Sequence, residues 1–156
     1  MKKLITVLLC ALTVLSLTAC QKEETNAANP FVECKDVAEA SELAGFDVTL
    51  PESLPDWAGD PVIRVIEDEL VELVYTDGAE EDLRFRKAPG SDDISGDLNQ
   101  YEQTVEVNLD NIIATLKGKN NWFHVATWTK GDYTYSITSE KAADPSLLIY
   151  QIVSFE

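Results

Sequence analysis

A chain of 156 residues with 28 acidic and 12 basic side chains carries a formal charge of −16 at neutral pH. That charge opposes binding to nucleic acid and to anionic lipid headgroups, and favours solubility, cationic partners or cation binding. The length suits one domain with a real core, and no cofactor is implied by any motif in it.

The chain begins with Lys2 and Lys3, continues through an apolar run from Leu4 to Leu17, and then reads Leu17-Thr18-Ala19-Cys20. The run is shorter than the ~20 residues of a membrane span, so it reads as the hydrophobic region of a signal peptide. The tetrapeptide has the pattern of a bacterial lipobox. In that chemistry the Cys20 thiol receives a diacylglycerol, small residues before it admit the signal peptidase, and Cys20 becomes the first mature residue. The competing reading is an ordinary secretory signal with an accidental cysteine. The expected organisation is a signal peptide over 1–19, a lipidated tether over 20–29 and an extracytoplasmic domain over 30–156. The protein is then expected on the outer face of the cytoplasmic membrane, held by its lipid. Loss of the leader removes Lys2 and Lys3 and no acidic residue, so the mature chain is more acidic still.

Of the three cysteines, Cys10 leaves with the leader and Cys20 is consumed by lipid. Cys34 alone remains, which excludes a disulfide within the mature protein and leaves its stability to the core. Cys34 reads either as a reactive thiol or as a small core residue, with only Lys35 as a cationic neighbour in sequence.

Asp36 to Gly45 carries a helix signature. Asp36 is placed to cap, Glu39 follows three residues later as in a capping box, and Gly45 suits the left-handed C-terminal position. From Phe46 the period becomes two. Phe46 to Leu50 alternates, and Pro51 and Pro55 then enforce a turn. Pro61 to Ile66 and Leu70 to Tyr75 read as a hairpin around Glu67-Asp68-Glu69. A turn at Asp77-Gly78 leads to Asp82 to Lys87. Tyr101 to Val107, Ile112 to Leu116, Trp122 to Thr129 and Tyr133 to Thr138 continue the series, with turns expected at Lys117-Gly118-Lys119-Asn120 and Lys130-Gly131-Asp132. The short gaps leave no room for crossover helices, so neighbouring strands should be antiparallel. Asp144 and Pro145 open a C-terminal helix, with a last strand from Leu147 to Phe155 as the alternative. The fold class expected is α+β: an antiparallel sheet of about seven or eight strands flanked by an N-terminal and a C-terminal helix.

Four constellations bear on function. Cys34 and His124 make up the one conventional nucleophile–base pair, although the linear sequence does not say whether they meet. Asp93, Ser95, Asp97 and Asn99 alternate like the front half of a calcium loop. Leu98 and Thr104 then stand where that loop needs glycine and a bidentate glutamate, so no metal site is assigned. Arg84, Arg86 and Lys87 are three of the scarce cations, gathered before that acidic loop. They read either as charge partners for it or as an anion-binding group. The expected binding set is therefore Arg84, Arg86, Lys87, Asp93, Asp97 and Asn99, with Cys20 as the lipidation site and no catalytic residues. Within the loop from Pro89 to Gln100, a structural account competes: Gly96 takes a strained backbone angle, Asp97 and Asn99 bond local amides, and Arg86 closes the loop by a salt bridge. Trp57, Trp122 and Trp128 with Tyr75, Tyr101, Tyr133 and Tyr135 serve the core, or form a recognition surface for peptide or glycan where they line an exposed face.

Several motifs follow one another in order: Asn29-Pro30-Phe31, Ala44-Gly45-Phe46, Leu50-Pro51 with Leu54-Pro55, and Arg86-Lys87 with Asp93-Ile94-Ser95-Gly96-Asp97 and Asn99-Gln100-Tyr101. Trp128, Gly131 and Tyr133-Thr134-Tyr135-Ser136-Ile137 complete the series. Together, over residues 29 to 156, they resemble a domain-of-unknown-function family found in lipoproteins and membrane-anchored extracytoplasmic segments of Gram-positive anaerobes. Leu98 departs from it, standing where an aromatic residue is expected. The resemblance implies an extracytoplasmic α+β domain and transfers no catalytic residues. The function expected is a non-enzymatic, lipid-anchored binding or sensing module with a protein, peptide or glycan partner and no nucleic acid. The alternatives are a small hydrolase or transferase using Cys34 and His124, and an envelope or lipoprotein-handling factor.

Overall fold

The computed structural model describes residues 29–78 and 80–155. The segment expected to be a signal peptide, Cys20 and the expected tether up to residue 28 lie outside the described residues. Within them no helix is long and apolar enough to cross a membrane. The described chain is mostly β, with eight strands in one antiparallel sheet and two helices. The strands are β1 (Val32–Cys34), β2 (Val62–Ile66), β3 (Leu70–Asp77), β4 (Glu80–Pro89), β5 (Gln103–Leu109), β6 (Ile112–Lys119), β7 (Trp122–Lys130) and β8 (Tyr133–Ala143). Helix α1 is Val37–Ala44 and helix α2 is Pro145–Ser154. In space the strands run β1-β2-β3-β4-β8-β7-β6-β5. Two meanders, β1 to β4 and β5 to β8, therefore join where β4 pairs with β8, and the loop from β4 to β5 must travel across the second meander.

Register decides which face each residue joins, because side chains alternate along a strand. One row across the sheet reads Cys34, Ile63, Leu73, Phe85, Ile137, Ala126, Leu116 and Val105. It lies in the core together with Ala40 and Ala44 of α1 and Leu148 and Ile152 of α2. The adjacent row, pointing the other way, reads Glu33, Arg64, Glu72, Arg86, Ser136, Thr127, Thr115 and Glu106. Every residue in that second row is polar. The alternation of the strands thus puts an apolar row in the core and a polar row on the opposite face, where Val74 and Val125 are also buried.

Both helix starts follow their capping residues. Asp36 Oδ1 accepts from the Glu39 amide at 2.9 Å, and Gly45 sits at φ 75° beyond the last turn. The reciprocal half of the capping box shifts by one residue: Glu39 Oε2 accepts from the amide of Lys35, not of Asp36. Asp144 caps α2 through the Ser146 amide at 2.8 Å, with Pro145 in the first turn. The C-terminal segment is therefore helical and the alternative last strand is absent there.

Three expectations are corrected. Phe46 to Leu50 buries Phe46 and Val48 alternately but joins no ladder. The sheet gains its eighth strand from Val32–Cys34, a run too short to show a period in sequence. The turn expected at Lys117-Gly118-Lys119-Asn120 falls instead at Asn120-Asn121, both with positive φ (53° and 60°), as a two-residue hairpin of the primed type requires. Gly118 is a strand residue because the facing backbone is close. A Cβ there would stand 2.7 Å from Phe123 Cα and inside contact distance of the Trp122 carbonyl oxygen, at the register shift between β6 and β7. Gly118→Ala should therefore cost about 1–3 kcal/mol, as overpacking does. Urea unfolding reads this directly, and an unchanged midpoint would show that the two strands yield freely.

Candidate functional site

The polar face carries a buried charge cluster at its centre. Glu72 of β3 is only 2% exposed, and its carboxylate meets three guanidinium groups. Arg86 reaches Oε2 with Nε and Nη2 at 2.7 Å each, Arg84 lies 3.2 Å from Oε2, and Arg64 lies 3.4 Å from Oε1. Cross-strand pairing of Glu72 with Arg64 and Arg86 fixes this arrangement. Arg86 also donates from Nη1 to the Ile94 carbonyl at 2.9 Å, which pins the β4–β5 loop to the sheet. Gly96, at φ 65°, packs against the same guanidinium, where any Cβ would collide with it. The strained glycine expected in the loop is present. The salt bridge of Arg86, however, is made with Glu72 of the sheet and not with the loop's own aspartates.

The rest of the loop is laid along β8 and β6 by side-chain bonds. Thr134 donates to the Asp92 carbonyl at 3.1 Å, and Lys117 pairs with Asp93 at 2.7 Å. Burial raises the Asp93 pKa, but bonds from Lys117 and Ser95 outweigh it and hold the carboxyl below its ordinary value. Asp93 Oδ1 accepts from the Ser95 amide, and Asp97 Oδ1 from the Asn99 amide. Asp97 Oδ2 takes both the Asn99 side-chain amide and the Tyr101 hydroxyl, the latter at 2.8 Å. Oxygens of Asp93, Ser95 and Asp97, which look like part of a calcium loop, are thus engaged with donors of the loop, of Tyr101 and of Lys117 on β6. Among the described residues, no group of three or more His, Cys, Asp or Glu side chains is placed to hold a metal ion.

Between this loop and the polar face opens a cleft of about 520 Å³. Its walls include Arg84 from β4, His124 from β7, Thr138 and Glu140 from β8, and Asp97, Asn99 and Tyr101 from the loop. His124 is oriented on two sides. Its ring stacks on Tyr101 at 5.8 Å, and Nδ1 lies 2.9 Å from the Ser139 carbonyl. A carbonyl only accepts, so Nδ1 carries the hydrogen and Nε2 of the neutral ring is an acceptor. Burial and the bond to Asp97 push the Tyr101 hydroxyl up to about 12, so it remains a donor across the physiological range.

The sequence-derived set divides in this geometry. Arg84, Asp97 and Asn99 line the cleft; Arg86 and Asp93 anchor its loop from the side. Lys87 does not join them. It follows Arg86 on the strand and so faces the apolar side, where it is 7% exposed. There Nζ donates to the Asp47 carbonyl at 2.8 Å and lies 4.8 Å, 5.5 Å and 5.7 Å from the ring centroids of Tyr133, Tyr135 and Phe46. Three consecutive-looking cations in sequence therefore belong to two faces, as a period of two dictates.

Cys34 and His124 are not brought together. Strands β2, β3, β4 and β8 lie between β1 and β7, which at the usual strand spacing is on the order of 24 Å. Burial raises the Cys34 thiol pKa, and the charges of Glu39 and Asp36 raise it further, which is opposite to the activation a nucleophilic thiol needs. His124 contributes to the cleft by a route the sequence does not display: β8 advances from Thr138 to Ala143 while β7 steps from Val125 to Phe123. The surplus residues, Ser139 to Ala142, have no partner on β7, although Ser139 stays paired with Leu83 of β4, and Ser139 and Glu140 line the cleft. Comparison with family models, with curated proteins and with solved structures finds no match for this chain.

Proposed function

We propose that this protein is a lipid-anchored, extracytoplasmic binding or sensing module, non-enzymatic, whose ligand contacts lie in the cleft between the β4–β5 loop and the polar sheet face. The observation that carries the reading is the cleft itself, open, mostly polar and held in shape by the Glu72–Arg86–Ile94 chain of bonds. Such a site presents cationic, anionic and neutral groups without internal rearrangement, which suits recognition of a polar partner, whether protein, peptide or glycan. The lipobox at Cys20 and the polar stretch after it support attachment to the membrane surface. The resemblance to the lipoprotein family of unknown function agrees with that location. It also agrees with a body in which helices at the two ends of the chain flank one side of the sheet. The hydrolase or transferase reading draws no support from the placement of Cys34.

Two measurements test the proposal. Cys20→Ala should abolish incorporation of a fatty-acid analogue, and labelling that survives it defeats the anchor. A photocrosslinking side chain at Asn99, in the cleft, should yield discrete adducts in intact cells. The same group at Ile113, exposed on β6 outside the cleft, should not. Equal adducts from both positions, or none from Asn99, would remove the cleft from the proposal.

A further inference from the structure

A second cleft lies on the other side of the β8 bulge, and we infer that it is a carbohydrate subsite that takes a neutral pyranose ring. Its volume is about 250 Å³. Trp57 and Trp122 line it, with Leu147 and Gln151 of α2, Pro55 and Lys141. Three observations converge. First, both indoles are surface groups, 37% and 53% exposed, whereas Trp128, the third tryptophan, is buried against Tyr135. Exposed indoles on a cleft wall give flat apolar area at little conformational cost. Second, Trp57 is held in place from one side: Lys141 lies 5.9 Å from its ring centroid and is itself tied to Asp77 and Asp82. Third, Gln151 is 1% exposed, lines the cleft, and its Oε1 has no hydrogen-bond donor among the described residues. An amide oxygen so buried costs free energy until a donor meets it.

A ligand for this cleft must therefore combine an apolar face for the indoles with hydroxyl donors at its edge for the amide. A pyranose ring has both. A peptide that binds by strand addition would need a free strand edge to pair with, and the free edges of the sheet are β1 and β5. The cleft instead adjoins β8, an interior strand, at its bulge, and α2. This inference does not depend on the polar cleft, although Asp82, Leu83 and Ser139 border both.

The test is titration of the folded domain with cellotetraose and with N-acetylchitotetraose, followed by tryptophan emission and by calorimetry. Saturable binding of at least one sugar is expected, with Trp122→Ala and Trp57→Ala each weakening it about tenfold or more, or ~1.4 kcal/mol. Gln151→Met should weaken binding while leaving Tm unchanged or raised, because it removes an unsatisfied polar atom and keeps the bulk. A purely structural glutamine would lower Tm instead and leave sugar affinity intact, which overturns its role. No saturable binding of either sugar, or wild-type affinity in Trp122→Ala, overturns the site. Binding of an unblocked Leu-Ala-Leu peptide that Trp122→Ala abolishes, with neither sugar bound, reassigns the cleft to peptides. Asn99→Ala, at a residue that lines the polar cleft and not this one and bonds to Asp97, should leave the sugar titration unchanged.

Discussion

Glu72→Ala should lower the unfolding free energy by about 3–5 kcal/mol, a large part of what a domain of this size possesses. The carboxylate is the common counter-charge for Arg64, Arg84 and Arg86, and Arg86 is the least exposed of the three. Removing it leaves several guanidinium charges facing one another at a site largely shut off from water. The cost is that of unpaired charge and lost hydrogen bonds, and it is larger than the net worth of the intact cluster. Glu72→Gln keeps the shape but not the charge and should fall between wild type and alanine. Urea unfolding followed by circular dichroism gives both midpoint and slope, so a change in stability is separable from a change in compactness. A loss below ~1 kcal/mol would mean that solvent reaches the cluster and screens it as on an open surface. The alanine variant should also loosen the β4–β5 loop, because Arg86 would lose the partner that aims it at the Ile94 carbonyl. Faster proteolysis between Pro89 and Gln100 would report that effect.

The polar cluster also marks where sequence reasoning reaches its limit. Period-two alternation in β4 makes Leu83 and Phe85 face opposite to Arg84 and Arg86, and the strand register extends that division across the sheet. The same rule sends Lys87 to the apolar side, although its chemistry groups it with the arginines in sequence. Only the fold reveals the aromatic cage of Phe46, Tyr133 and Tyr135 that accepts it. Glu72 attracts no notice in the run Leu70 to Tyr75, since a single acidic residue in a strand is ordinarily solvated. Its importance arises from two neighbouring strands that each present arginine at the paired position. The helix caps were legible because capping is local chemistry, settled within four residues. The edge strand Val32–Cys34 and the bulge Ser139–Ala142 were not. Each is set by long-range pairing that no short window contains. Trp57 and Trp122 were visible as residues, but their meeting beside α2 depends on that bulge.

Phe85→Ala carries the largest expected loss on the apolar side, about 3–5 kcal/mol. Phe85 is fully buried at the middle of the sheet, paired across to Leu73 and Ile137. Its ring meets Tyr75 edge-on at 5.9 Å and Phe155 at 5.1 Å. Phe155, just beyond α2, in turn contacts Tyr135 and Trp128. One ring therefore connects the β1–β4 meander, the β5–β8 meander and the end of the C-terminal helix. Truncation removes its buried area and leaves a void that β-strands locked by register are unable to close. Phe85→Leu fills part of that void and should lose clearly less. Leu98→Ala is the matching control: this leucine is 95% exposed, so its loss should stay within about 0.5 kcal/mol. If Phe85→Ala cost no more than Leu98→Ala, the helix and the two meanders would be held by something other than this aromatic core. Tryptophan emission distinguishes local from global damage, because Trp128 sits beside Phe155 and shifts to the red when the core around it opens. A stability loss with Trp128 emission unchanged would place the cavity away from α2. A red shift before the main transition would make the C-terminal helix the first element to detach.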